Sequence, residues 1–403
     1  MTNKRNPKEP DDEDELFDLD DELDTDQEFG DQELDEELDD EAFDGDMLTD
    51  EGLDDGSWDE ANYAFTRTKL SASELLHRLI TDPNTVTGND LYAFSDLSRQ
   101  DAETVRQEWP NIPVERRRTV LRELVDFALN DLDWQLGRIL RIALNDTDAQ
   151  VRQTAIEGLW EDSESDLIGP LIQALRNDEH VGVRAVAAIA LGAYVLAGEL
   201  DELDAALAMR VEEALLAVLE NSEEPVAVQS RALESIAYSG ETGVRQLIED
   251  AYYSPEEEMR VSSLVAMGRS ADVHWRSYAR AELLNPSPAM RAEAARACGE
   301  LEAKVALRDL LELLTDDVQT VRLAAIFALG HIGGRDARDA LHAVSESGEP
   351  VEAEAANEAL EEMAFYADPN AVSLFDESLD EEDDWDQEPW HNADEEDLGE
   401  YEE

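Results

Sequence analysis

The stretch Val321-Arg322-Leu323-Ala324-Ala325-Ile326-Phe327-Ala328-Leu329-Gly330 decides the fold. Its apolar residues at arginine −1, +3, +6 and +7 lie on one stripe of a helix. Small residues at +3 and +6 let a neighbouring helix come close, and glycine at +8 loosens or ends the helix. The same pattern stands at Val151-Arg152, Val183-Arg184, Val228-Gln229, Met259-Arg260 and Met290-Arg291. A copy without the arginine is in register at Ala353, with Ala356, Ala359 and Leu360, and a weaker one starts at Arg118, with Leu121, Leu124 and Val125. From Arg152 onward the steps are 32, 45, 31, 31, 31 and 31 residues, and the long step holds an insertion near Gly198–Met209.

A second apolar helix precedes each arginine helix, over Leu167–Arg176, Val211–Glu220, Val244–Tyr253, Trp275–Leu284, Ala306–Leu314 and Ala337–Val344. Turn residues such as Asn285-Pro286-Ser287-Pro288, Asp316-Asp317 and Asn145-Asp146 separate the paired helices. One such pair cannot bury its own apolar face, and stacked pairs can. The expected class is therefore all-α, an α-solenoid, and little β-branched alternation supports a sheet. Upstream, Ser71-Ala72-Ser73-Glu74 has capping-box spacing, and Ser98-Arg99-Gln100-Asp101 opens a further helix that ends at Trp109-Pro110.

The pattern Asp-x-x-Val-Arg-x-x-Ala-x-x-Ala-Leu-Gly resembles the short HEAT-like repeat named from phycobilisome (PBS) bilin lyases, and the order of the central region resembles a bacterial class of HEAT-repeat proteins. The resemblance covers residues 113–365 and implies a right-handed, armadillo-type solenoid of seven to eight repeats, with residues 61–112 as a short helical N-terminal cap. The motif is specific for fold and poor for function, because one fold hosts many roles.

Charge divides the chain of 403 residues, whose formal net charge is −70. Residues 1–60 carry a net −26, residues 368–403 a net −17, and the long centre between them −27. Segments 1–60 and 366–403 read as disordered acidic tails, since repulsion opposes collapse and the scattered Leu, Phe and Trp offer too little apolar surface to offset ordering entropy. Three uses fit such tails: a solubilising brush, an acidic-hydrophobic segment that folds onto a basic, apolar groove, or a buffer of divalent cations. The spacing Asp24-x-Asp26-x-Glu28-Phe29-Gly30 puts glycine one place late for an EF-hand loop. The acidity argues against direct nucleic-acid binding and against anionic membranes. One cysteine, no apolar leader after Met1 and no apolar run near the ~20 residues of a membrane span place the protein in the cytoplasm.

Candidate chemistry is sparse. The repeated arginines Arg152, Arg184, Arg260, Arg291 and Arg322 read as a structural hydrogen-bond ladder between repeats, with Asp148, Glu256 and Ser287 about four residues before an arginine and Asp178 and Asp317 at slightly longer spacing. Such ladders are what the HEAT resemblance implies. The six histidines share no i, i+3 or i+4 spacing, and none is followed by glutamate. The di-iron deoxyhypusine hydroxylases among HEAT-repeat enzymes use His-Glu pairs, so that activity is not carried over, and no metal or other cofactor is expected. Cys298 occupies the +7 core position and reads as a buried small residue. No phosphate loop or nucleophile elbow is present.

The resemblance places the arginine helix on the concave face, where positions +2, +5 and +9 point into the groove. They bring Arg231, Arg269 and Arg296 to the middle repeats with Tyr238, Phe327 and His331 near, while Trp160 and Trp275 at repeat ends border the groove. The expected function is a non-catalytic protein-binding scaffold or adaptor, working through the concave face and the acidic tails on another protein, with basic proteins among the candidates. Alternatives are an acidic chaperone or decoy for basic proteins, a tail lying across the protein's own arginine-lined groove, and an enzyme modifying a bilin or a lysine.

Overall fold

The computed structural model describes residues 70–131 and 133–367. The expected acidic tails lie outside the described residues except for the last two residues of the final helix, as do residues 61–69 of the expected cap. Seventeen α-helices and no strand occur among the described residues.

Helix α1 (Ala72–Thr81) begins at a reciprocal cap: the Glu74 amide donates to Ser71 Oγ and the Ser71 amide donates to Glu74 Oε2. Helix α2 (Arg99–Glu108) starts at Ser98, whose hydroxyl oxygen accepts from the Asp101 amide. Trp109 and Pro110 then turn the chain into α3 (Val114–Asn130), the helix that carries Arg118. The buried Asp146 ties this entry to the first full repeat, accepting from the Trp109 indole at 2.7 Å and pairing with Arg117.

From there the helices alternate. The arginine helices are α3, α5 (Ala149–Glu157), α7 (Val181–Glu199), α9 (Val226–Ile236), α11 (Glu257–Arg269), α13 (Pro288–Glu300), α15 (Gln319–Ile332) and α17 (Pro350–Ala367). Their partners are α4 (Gly137–Ala143), α6 (Ile168–Asn177), α8 (Ala205–Glu220), α10 (Thr242–Tyr252), α12 (Arg276–Glu282), α14 (Leu307–Leu313) and α16 (Arg335–Ser347). Successive arginine helices pack on one another, and from α5 onward each also packs on the partner that precedes it, which is the α-solenoid that the hydrophobic beat requires.

The arginine row is the tightly packed one, for a reason visible at its glycines. A Cβ on Gly299 would stand 2.8 Å from the Ala328 Cα, and one on Gly330 would stand 3.0 Å from the Ala359 Cβ. Glycine at +8 and alanine at +6 of the next repeat let the two backbones meet. The partner helices use larger residues, and few of them closely approach one another. One continuous core runs from Ala72 to Met363.

The insertion in the long step does not form a loop. It lengthens both members of one hairpin, giving α7 nineteen residues and α8 sixteen. In consequence α7 is long and apolar enough to cross a membrane by length and composition, contrary to the expectation that no run comes near a span. It packs against α5, α6, α8 and α9 here, with Val183, Ala187, Ala188, Leu191 and Val195 buried.

Candidate functional site

The repeated arginines come first, because they set the spacing of everything on their face. Each reaches back to a carbonyl six residues earlier: Arg152 to Asp146, Arg184 to Asp178, Arg260 to Ser254, Arg291 to Asn285 and Arg322 to Asp316, all at 2.7–2.8 Å. This closes each arginine on the turn that precedes its own helix. Most of them also reach forward to a carboxylate of the next repeat: Arg118 to Asp148, Arg152 to Asp178, Arg184 to Glu224, Arg291 to Asp316 and Arg322 to Glu352. The Arg118 contact holds the Asp148 carboxyl down to about 2. In the Arg291 pair the acceptor is Asp316 and not Asp317, because Asp316 also turns an oxygen to the Val318 amide at the helix start.

The series is interrupted in the middle. Position 229 is glutamine, which bonds the Asn221 carbonyl of its own turn, and Arg260 donates to the Ser254 and Pro255 carbonyls of its own turn. Glu256 and Ser287 therefore do not take the acceptor positions that spacing suggested. The Ser287 hydroxyl donates instead to Glu257. Across this gap a different connection joins α9 to α11. The Ser262 hydroxyl donates to Glu234 Oε1 at 2.5 Å, Arg269 donates to the Glu234 carbonyl at 2.9 Å, and Ser230 donates to Glu258. Glu234 is buried and also accepts both contacts from Arg231, at 2.7 and 2.8 Å.

These contacts recast the arginine cluster. Arg231 is paired with Glu234, Arg296 stands 3.6 Å from Glu293, and Arg269 lies over the Tyr238 ring at 5.3 Å. Phe327 and His331 contact each other on α15 at 4.2 Å between ring centres. Desolvation raises the Glu293 carboxyl, and Arg296 opposes the shift; Glu300, beside Gly268, is raised in the same way. The middle of the face is a mixed-charge network, in which Arg231 and Arg296 each have a glutamate on their own helix and Arg269 is held by the Glu234 carbonyl and the Tyr238 ring. The signal for it lay at groove positions +2, +5 and +9, where Glu234 stands three residues after Arg231 and Glu293 three before Arg296, with Ser262 and Glu300 in the same rows. Trp275 takes no part, since it is wholly buried at the start of α12.

Trp160 is different. It is 64% exposed and lines a cavity of about 360 Å³ between α5 and α7. Ile156, Leu159, Leu167 and Leu171 form the floor, and Val186, Ile189 and Ala193 of α7 form a wall, with Ile189 45% exposed. Val186, Ile189 and Ala193 are the +2, +5 and +9 positions of the Arg184 repeat, so helical periodicity alone aligns them. The loop bearing Trp160 is fixed in place. The Tyr194 hydroxyl donates to the Asp162 and Glu164 carbonyls at 3.2 and 3.0 Å, and Arg141 pairs with the Asp162 and Asp166 carboxylates. Burial, aided by Asp162, pushes the Tyr194 phenol up to about 12. A large exposed indole on a fastened loop is a poor choice for stability and a good one for contact.

Burial also pushes the Cys298 thiol up to about 12, leaving it unreactive as a nucleophile near neutrality. Among the described residues no three His, Cys, Asp or Glu are grouped to hold a metal ion.

The family model for HEAT repeats matches residues 138–213, 278–361 and 310–388. These segments carry HEAT repeats. Similar solved structures include the complex of CpcE and CpcF of phycocyanin lyase from Nostoc, at 19% identity over 59% of this chain and 91% of that one, with a TM-score of 0.43. Importin beta is similar at 15% identity over 75% of this chain and 49% of that one, with a TM-score of 0.39. Human deoxyhypusine hydroxylase is similar at 19% identity over 66% and 96%, with a TM-score of 0.31. No curated protein sequence matches the HEAT-repeat chain at a significant level.

Proposed function

We propose that this HEAT-repeat protein is a non-catalytic scaffold that holds another protein on the face formed by its arginine helices. The closer packing of that row supports reading it as the concave side. The observation that carries the reading is the Trp160 cavity: an exposed indole on a fastened loop, beside an apolar wall on the arginine-helix face. Solenoids of this kind offer long surfaces of repeated geometry, which suits extended partners. The acidic tails add a field that favours a basic partner and speeds its approach.

Affinity capture from a native lysate by the full-length protein tests the reading, run beside a Trp160→Ala/Ile189→Glu double variant with an unchanged unfolding midpoint. The expected result is a specific protein enriched by the wild type and lost from the variant. Identical captured sets would count against it.

The second reading, an acidic chaperone or decoy for basic proteins, draws on the net charge of −70 and the strongly acidic ends. It requires the tails and not the cavity, so the same capture run on a tail-deleted chain separates the two.

A further inference from the structure

We infer that the cavity between α5 and α7 takes a cationic segment of another protein, inserting one or two large apolar side chains beside Trp160. The inference rests on the scaffold reading and adds the chemistry of what is held.

Two features of the site choose the occupant. The first is the shape and lining of the site. A space of about 360 Å³, lined mostly by apolar side chains and opening between Trp160 and Ile189, has room for a large apolar anchor. The anchor excludes water from both side chains, and the loop it meets is already held by Tyr194 and Arg141, so little ordering cost attends binding.

The second is the charge at the rim. Glu157 and Asp162 line the opening, and the same loop continues through Glu161, Glu164 and Asp166. No lysine or arginine occurs from 153 to 175. Arg141, which reaches this loop, is bound to Asp162 and Asp166, and Arg184 of α7 is bound to Glu224. An apolar anchor arriving on an acidic chain would meet like charge on every side, while a lysine- or arginine-flanked anchor would find opposite charge. This disfavours the protein's own acidic ends as occupant and a second copy of a chain with a charge of −70.

The test uses the full-length protein and labelled synthetic peptides: an amphipathic leucine–lysine peptide, a leucine–glutamate peptide of the same pattern, and a scrambled leucine–lysine peptide without an apolar face. The amphipathic leucine–lysine peptide should bind at least about tenfold more tightly than the leucine–glutamate one, and Trp160→Ala or Ile189→Ser should weaken it by about tenfold, as loss of a central anchor contact does. Binding of the scrambled peptide, which meets only the acidic surface, should not change in either variant. Equal affinity of wild type and both variants for the amphipathic leucine–lysine peptide would overturn the inference, and so would a leucine–glutamate peptide that binds as tightly. If native capture depends on Trp160 and these peptides do not, the scaffold reading stands and the partner chemistry falls. If neither depends on Trp160, both fall.

Discussion

At the scale of the residue, the repeated arginine is a two-way fastener. One guanidinium nitrogen closes the turn six residues back, while the others grip a carboxylate in the next repeat. Arg291→Ala leaves Asp316 without its partner and should cost about 1–3 kcal/mol in urea unfolding. The pH dependence follows from the direction of the carboxylate shifts. Asp148 is held down to about 2 by Arg118, so this contact contributes fully above the unfolded aspartate range and is lost as pH falls through that range toward 2. The difference in unfolding midpoint between wild type and Arg118→Gln should therefore shrink between about pH 5 and about pH 2.5, and a constant difference would count against the pairing. Glu293 and Glu300 act in the opposite sense, since burial favours their protonated forms and mild acid helps the folded state there. Sequence periodicity made the arginines legible, but not the pairing of Arg231 with Glu234 and of Arg296 with Glu293 on their own helices. It did not distinguish Asp316 from Asp317, because which of two adjacent carboxylates faces an arginine depends on the path of the turn. Nor did it bury Trp275, whose place at a repeat end reads as surface until α12 starts beneath it.

At the scale of the element, close approach of the arginine helices is the design rule. Gly299→Leu pushes a side chain into the Ala328 backbone and should destabilise by about 1–3 kcal/mol or more, whereas Gly169→Ala meets open space and should be neutral or mildly stabilising. Differential scanning of both variants checks the contrast, and equal midpoints would contradict it. Glu234 is the substitute fastener where glutamine replaces the ladder arginine. Glu234→Ala removes the acceptor shared by Arg231 and Ser262 and should cost about 3 kcal/mol, as breaking a buried charged network does. Glu234→Gln keeps the shape and some of the hydrogen bonding, and should recover part of the loss. Helix order and spacing were legible here because a thirty-one-residue beat leaves few ways to stack. The insertion was not, since extra residues that continue an apolar stripe extend α7 and α8 as readily as they form a loop.

At the scale of the whole molecule, the repeated face divides into two parts. Paired charges occupy its middle, and the exposed apolar contact sits at one end, between α5 and α7. That cavity was half legible: helical spacing put Val186, Ile189 and Ala193 on the face, but the fixing of the Trp160 loop by Tyr194 crosses thirty-two residues and no local pattern announces it. The field of the chain as a whole makes a further prediction. Binding of a polycationic protein should weaken steeply as salt rises past ~0.1 M, and removal of residues 1–60 and 368–403 should leave only the shallower dependence that the repeats' own acidic residues carry. Persistence of the full salt dependence without them would assign it to the repeats instead.

The most direct measurement is site-specific photo-crosslinking of the full-length protein in a native lysate. A photoreactive side chain replaces Ala193, on the wall of the cavity, or Tyr253, exposed after α10 in the partner row. The account predicts a discrete protein adduct from position 193 that position 253 does not give and that Trp160→Ala abolishes. The same adducts from both positions, or none from position 193, would contradict it.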